Sequence, residues 1–174
     1  MKMKTVLIIL ACLVGLWLIA AIIMPSESVI SRKTEINAKA ETVFNQINSL
    51  QNWKKWSYWE KVDPNMVSKY SGPEFGAGAK HEWKSEKMGN GQISITESTN
   101  PSSLKYELVF EGMSPSQGCL VITEKEPALT VTMELRMNLP FLFRPMGLLS
   151  ERMIGPDFEA SLNGLKQLCE SNQN

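Results

Sequence analysis

The sequence predicts an α+β domain, a curved antiparallel sheet wrapped around a long C-terminal helix, with a transmembrane helix ahead of it. Three observations carry that prediction. From Thr5 to Met24 the chain reads "TVLIILACLVGLWLIAAIIM" without a charge, and at ~1.5 Å per helical residue such a run spans the roughly 30 Å of a hydrocarbon core. From Lys80 to Met137, short runs of alternating polarity recur between turn residues, the pattern of an antiparallel meander. Near the C-terminus Phe158, Leu162, Leu165 and Cys169 repeat at helical spacing, with Leu168 widening the stripe.

A chain of 174 residues is one domain with a remainder. The remainder is residues 1–25, read as a membrane anchor, and residues 26–174 form the folded domain. Lys2 and Lys4 precede the apolar run and "PSES" follows it, so the positive-inside tendency puts the N-terminus in the cytoplasm. The domain then lies on the outer side, periplasmic or extracellular. A cleaved secretory signal is the competing reading, although "AIIMPSE" has Ile and Met where a cleavage site needs small residues. A lipoprotein leader ending at Cys12 is the third, with too little apolar chain before the cysteine and too much behind it.

After Pro25, "SVISRKTEINA" alternates and carries β-branched residues, hence a strand. In "AKAETVFNQINSLQNW" the period changes: Val43, Phe44 and Ile47 recur at helical spacing, and Leu50 and Trp53 extend the apolar face into a second short turn. "NWKKWSYW" then sets Trp53, Trp56 and Trp59 three apart, nearly on one side of a tight helical segment. "MVSKYSG" is a short strand ended by Gly72 and Pro73. In the next strand Lys80, Glu82 and Lys84 share one face, His81 and Trp83 the other, and "MGNG" makes the hairpin turn after it.

The later strands fix the faces. Leu104, Tyr106, Leu108 and Phe110 stand opposite Lys105 and Glu107; Leu129, Val131, Met133, Leu135 and Met137 stand opposite Thr130, Thr132, Glu134 and Arg136. One face is apolar and the other wet, so the C-terminal helix must cover the apolar one. Pro156 allows two starts for that helix: near Gly155 with the proline in its first turn, or from about Gly147 with a bend at the proline.

Composition excludes several function classes. Eighteen basic residues balance eighteen acidic ones, leaving no basic field suited to nucleic acid. With one histidine and no C-x-x-C spacing, a transition-metal site lacks ligands, and no cofactor motif is present. No serine sits in a nucleophile elbow, and "GAGAK" reads as a turn before a strand rather than a phosphate loop. Cys119 and Cys169 read as small, buried or half-buried apolar residues, the alternative being a disulfide between them.

"INAKAETVFNQINSLQNWKKWSYW" resembles the opening of the polyketide cyclase/dehydrase and lipid-transport family of the START-like SRPBCC superfamily, where an Ile-x-Ala strand end precedes a Val-Phe helix and a Trp-x-x-Trp pair. The following "DPN", "GPEFGAGAKHEWKS", "GNGQISITE" and "FEASLNGLKQLCE" also look like that family, from about Ser28 to Glu170. Its fold is the helix grip. The resemblance implies a cavity between sheet and C-terminal helix that accepts an apolar or amphipathic small molecule; it implies no reaction, because the family includes carriers and sensors beside enzymes.

The function expected is a membrane-tethered binding module for a hydrophobic small molecule or lipid. Its candidate ligand-binding residues are Trp56, Trp59, Tyr70, His81, Trp83, Tyr106, Phe110, Met133 and Phe158, with Trp56 and Trp59 at the mouth and Trp59 as lid, the alternative being that at least one of Trp53, Trp56 and Trp59 only plugs the end of the core. His81 is also the weak candidate for a catalytic acid/base, and Glu97, continuing the row of Ile93 and Ile95, is either an inward carboxylate or a strand-end residue turning into solvent. The alternatives are a cyclase- or dehydratase-type enzyme using such a group, and an interaction or sensing module whose cavity its own side chains fill. A last stretch, "NLPFLFRPMGLL", clusters Leu139, Phe141, Leu142, Phe143 and Met146 between the last strand and the last helix. It reads as packing under the sheet edge or as a flap that touches lipid.

Overall fold

The computed structural model describes residues 3–171. Lys2, on which part of the orientation reading rests, and residues 172–174 of the domain lie outside them. The elements run α1 (Met3–Ile23), β1 (Glu27–Ile36), α2 (Ala40–Ile47), α3 (Trp53–Trp56), α4 (Trp59–Val62), β2 (Val67–Ser71), β3 (Lys80–Lys84), β4 (Gly91–Thr99), β5 (Ser103–Phe110), β6 (Ser116–Lys125), β7 (Ala128–Asn138), a 3-10 helix (Phe141–Met146) and α5 (Gly147–Ser171). The seven strands form one antiparallel sheet in the order β1-β7-β6-β5-β4-β3-β2.

The inner face follows from the alternation. Leu104, Tyr106 and Leu108 on β5, Leu120 and Ile122 on β6, and Leu129, Val131, Met133 and Leu135 on β7 are buried. Across them lies α5, which buries Phe158, Leu162, Leu165 and Cys169 from its apolar stripe. Each such side chain taken fully from water contributes roughly 1.5–3 kcal/mol. On β1, Arg32 faces α5 from the inner row and is held by Glu159 at 2.6 Å and by Glu151. Those ion pairs are exposed and contribute little, so the apolar stripe holds the helix while Arg32 sets its register.

Helix α5 is continuous from Gly147 through Pro156, the longer of the two readings. At Gly164 it presents no side chain, and a Cβ there would stand 2.5 Å from the Trp56 carbonyl oxygen. The backbone of α3 therefore rests directly on α5. A second close approach is at Gly118, where a Cβ would fall 2.1 Å from the Tyr106 ring.

In β4 the pairing with β5 shifts between Ile95 and Glu97, a bulge that adds Thr96 to one strand. The inner row passes from Ile95 to Ser98, which pairs with buried Leu104, and Glu97 turns to solvent, where Lys105 meets it at 2.8 Å. The three cysteines are free, Cys169 buried and Cys119 half-buried, so no disulfide joins them. Helix α1 is long and apolar enough to cross a membrane, a property that a signal sequence shares. Residues 24–26 join it to β1.

Replacing Gly164 by alanine is expected to lower the unfolding free energy by roughly 1–3 kcal/mol, because the neighbour is backbone and cannot rotate away. Urea unfolding reads this as a lower midpoint; an unchanged midpoint would mean that α3 has room to move off α5.

Candidate ligand site

Two short elements bring the site together. Alternation along β3 turns His81 and Trp83 inward, and α4 places Trp59 and Glu60 above them. The Glu60 carboxylate stands 3.2 Å from His81 Nδ1, with both side chains almost wholly buried. Tyr70, directly opposite His81 in the β2–β3 register, stacks on the imidazole at 4.4 Å between ring centres. Lys54 lies over the other ring of this stack, its Nζ 5.0 Å from the centre of Tyr70.

Burial, and then the Lys54 charge, push His81 down to about 4, so the imidazole is neutral at neutral pH. Burial raises Glu60, with Lys54 opposing, and burial followed by the Glu60 charge raises Tyr70. The tautomer with its proton on Nδ1 faces the Glu60 carboxylate and leaves the lone pair on Nε2. That Nε2 is buried and has no hydrogen-bond partner among the described residues.

His81, Glu60, Trp59, Trp83, Met66 and Leu108 help line a cavity of about 30 Å³. Ligand pockets commonly hold roughly 300 Å³ or more, whereas one water needs about 10–15 Å³. The cavity is too small for such a ligand. Trp59 lines it and is held in place: its Nε1–H donates to Asp157 Oδ2 at 2.9 Å, and the Tyr58 N–H donates to Ser161 Oγ at 2.9 Å, so α4 is latched to α5. Phe110 and Phe158 flank the Trp59 ring at 6.3 and 5.9 Å. Just past α4, Asp63 accepts from Ser85 Oγ at 2.7 Å, a hydrogen bond that also lowers its pKa and pins the far end of α4.

Of the residues singled out from sequence, Trp59, His81 and Trp83 border this cavity. Trp56 does not: it is fully buried, donates to the Gln46 carbonyl and plugs the core rather than a mouth. Tyr106 is buried edge-on against Trp53, and Met133 is buried in the same core. Phe110 and Phe158 sit one layer out, behind Trp59, and Tyr70 borders a separate hollow of about 160 Å³ with Glu74 and Lys80. Glu60, Asp157 and Ser161 were not singled out. For Glu60 a signal existed, since a lone inward histidine calls for a partner and Glu60 adjoins the lid tryptophan.

Among the described residues no group of His, Cys, Asp or Glu comes together that could hold a metal ion. A sheet gripping one long helix over a small aromatic cavity defines a helix-grip protein. By sequence the chain belongs to the polyketide cyclase/dehydrase and lipid transport family, which matches it over residues 28–170.

Norcoclaurine synthase from Thalictrum flavum, solved as a point mutant with a transition-state analogue, is similar in structure at a TM-score of 0.64 and 12% identity, covering 85% of this chain and 97% of that one. A Staphylococcus aureus protein of unknown function is similar at a TM-score of 0.66 and 8% identity, covering 84% and 95%. A Chromobacterium violaceum protein follows at 0.60 and 15%, covering 82% and 98%. These likenesses show the fold. No curated protein is recognisably similar in sequence.

The His81 shift has a sign. Between pH 6.5 and about 4 the unfolded chain takes up a proton that the folded chain refuses, so stability is full above that window and falls as pH drops through it. Glu60 acts oppositely: its raised pKa stabilises at low pH, and that contribution is lost as pH rises through its folded value. The His81→Phe variant is therefore expected to gain on the wild-type chain by roughly 2–3 kcal/mol as the pH falls from 6.5 to 4. Urea unfolding at both pH values reads the difference, and parallel behaviour of the two chains would show that the folded imidazole protonates freely.

Proposed function

We propose that the protein is a membrane-tethered binding module for a hydrophobic small molecule or lipid, taken, when Trp59 swings out, into the cavity between the sheet and the α3–α4 segment, which lies beside α5 rather than under it. The observation that carries this reading is the unpartnered His81 Nε2 at a cavity lined, apart from Glu60 and Ser57, by aromatic and aliphatic side chains. A buried acceptor without a donor costs roughly 1–3 kcal/mol, and a ligand hydroxyl or N–H supplies the donor. Opening the latch gives up two hydrogen bonds to α5, each worth ~0.5–1.5 kcal/mol net. Burying about 150 Å² of ligand apolar surface contributes about 4 kcal/mol, enough to offset that. Helix α1 is the tether, with its N-terminus in the cytoplasm and the domain, residues 26–174, on the outer side.

The Glu60–His81 pair favours a second reading, an acid/base enzyme of the cyclase or dehydratase kind. There the carboxylate orients the imidazole and Nε2 takes the proton from bound substrate.

The test is native mass spectrometry of the chain from Glu27 onward, followed by organic extraction; α1 adds nothing to the hydrophobic core cluster, so that piece keeps its core. An apolar compound bearing a hydrogen-bond donor is expected to co-purify, and His81→Phe to weaken its binding about tenfold. An empty protein with no tryptophan fluorescence shift across a lipid panel would instead assign a filled core that works through a protein partner. Turnover of the compound, lost in Glu60→Gln, would favour the enzyme.

A further inference from the structure

The connector between β7 and α5 has no buried residue, and its apolar side chains continue onto the first turns of α5. Phe141, Leu142, Phe143 and Met146 are exposed, as are Leu148 and Met153, the last two at 68% each. Large apolar groups exposed singly elsewhere need no partner, but a contiguous patch of this size marks an interaction surface. Its position says what covers it. The Trp17 indole N–H in α1 donates to the Leu142 carbonyl at 2.9 Å, and Arg144 Nη1 donates to the Ala21 carbonyl at 3.4 Å. The 3-10 helix is thus fastened along the last turns of α1, and the patch is continuous with the exposed apolar surface of that helix.

Depth follows from the helix rise. At ~1.5 Å per residue, Trp17 lies roughly 9 Å inside the Ile23 end of α1, whereas Ala21 lies roughly 3 Å inside it. Helices lying at a bilayer surface bury their apolar face about 5–10 Å into the headgroup and acyl boundary. The Leu142 level therefore falls among acyl chains. The Arg144 guanidinium, reaching back to Ala21 and over the Phe141 ring at 5.5 Å, falls at headgroup depth, where a charge is hydrated.

We infer that Phe141–Met153 is a lipid-facing foot, seated in the bilayer beside α1; the inference rests on the reading of α1 as a membrane span. The foot orients the domain. In the sheet register Glu27 pairs with Asn138, Met137 with Ser116, Ser116 with Leu108, and Phe110 with Gly91, so these ends share one rim. That rim carries the foot and Phe110, which flanks the lid tryptophan. Along α5, Met153 and Asp157 are an i, i+4 pair on one face, and Asp157 is the acceptor that latches Trp59. The latch stands one helical turn from lipid, and an apolar ligand leaving the bilayer at the foot meets the lid first.

The test uses the full chain in vesicles of phosphatidylcholine and phosphatidylglycerol, with photoreactive p-benzoylphenylalanine replacing Phe143, Leu148, Leu10 or Phe75 one at a time. Phe75 is the control, half-exposed at 51% in the loop between β2 and β3 on the opposite rim. Phospholipid adducts are expected at Phe143 and Leu148, as at Leu10 within α1, and none at Phe75. Lipid adducts at Leu10 without any at Phe143 and Leu148 would remove the foot and leave the anchor standing. Adducts joining Phe143 to a second copy of the chain would make the patch a dimer surface and overturn the inference. Loss of lipid adducts at Leu10 would remove the membrane span, and the foot with it.

Discussion

The inner face of the sheet must be covered, and the rest of the molecule follows from how α5 covers it. One helix presents one apolar stripe, and the α5 stripe of Phe158, Leu162, Leu165 and Cys169 closes over only part of seven strands. The end of the sheet around β3, β4 and β5 is left to α3 and α4, four residues each. Helices that short have no stripe of their own, so they fill the gap with the largest side chain there is. Trp53 and Trp56 reach the core and meet tilted at 49°, with ring centres 5.0 Å apart, while Trp59 lands beyond the break at Ser57 and Tyr58 and lines the remaining cavity. Every one of the five tryptophan N–H groups finds an acceptor: Leu142, Ile47, Gln46 and Gly89 carbonyls, and the Asp157 carboxylate. Only the last of these is a side chain, which makes Trp59 the ring whose partner could be exchanged without disturbing backbone.

What was legible in the sequence was what repeats. The alternation in β5 and β7, the spacing of Phe158, Leu162 and Leu165, and the Asn-Gly turn are local patterns, and each became the expected element because burial rewards them residue by residue. The three-residue spacing of the tryptophans was equally visible, but it could not separate plug from lid. That split depends on Gly164, more than a hundred positions away, letting the α3 backbone settle on α5. Glu97 illustrates the same limit, because a single inserted residue reverses every face after it. Glu60 was masked by its neighbours: a glutamate among lysines reads as solvated, and only the approach of β3 to α4 puts it against His81.

That buried pair is not a stabilising device. Replacing a buried ionisable pair by apolar side chains of similar volume is often neutral or stabilising, because desolvation of the charges outweighs their attraction. Burial raises Glu60 and lowers His81, so each group is held away from its charged form by the same packing that keeps water out. A core retaining both, with a vacant acceptor on Nε2, carries a polar specification that packing alone does not require. Proteins commonly give up stability of this kind at positions that meet a ligand.

Helix α1 and the domain that holds the cavity are linked by a short piece of chain. Residues 24–26 are all that separate α1 from β1, and fully extended they reach roughly 10 Å. They are not free to extend, because Ser26 accepts from the Leu139 N–H at 2.8 Å and Met24 donates to Ala20 at 2.9 Å, continuing the helix. Next to them Ser28 Oγ and Ser150 Oγ meet at 2.6 Å, tying the start of β1 to the first turns of α5. With α1 in a bilayer, the domain therefore cannot rise off the surface or turn about a flexible stalk. Under the proposed reading of α1, the rim near Asn138 and Phe110 is the one turned to the lipid, by covalent and hydrogen-bonded construction. A lid at Trp59 would then open toward the phase in which an apolar ligand is most concentrated, with low polarity continuing from the acyl chains through the connector to Trp59.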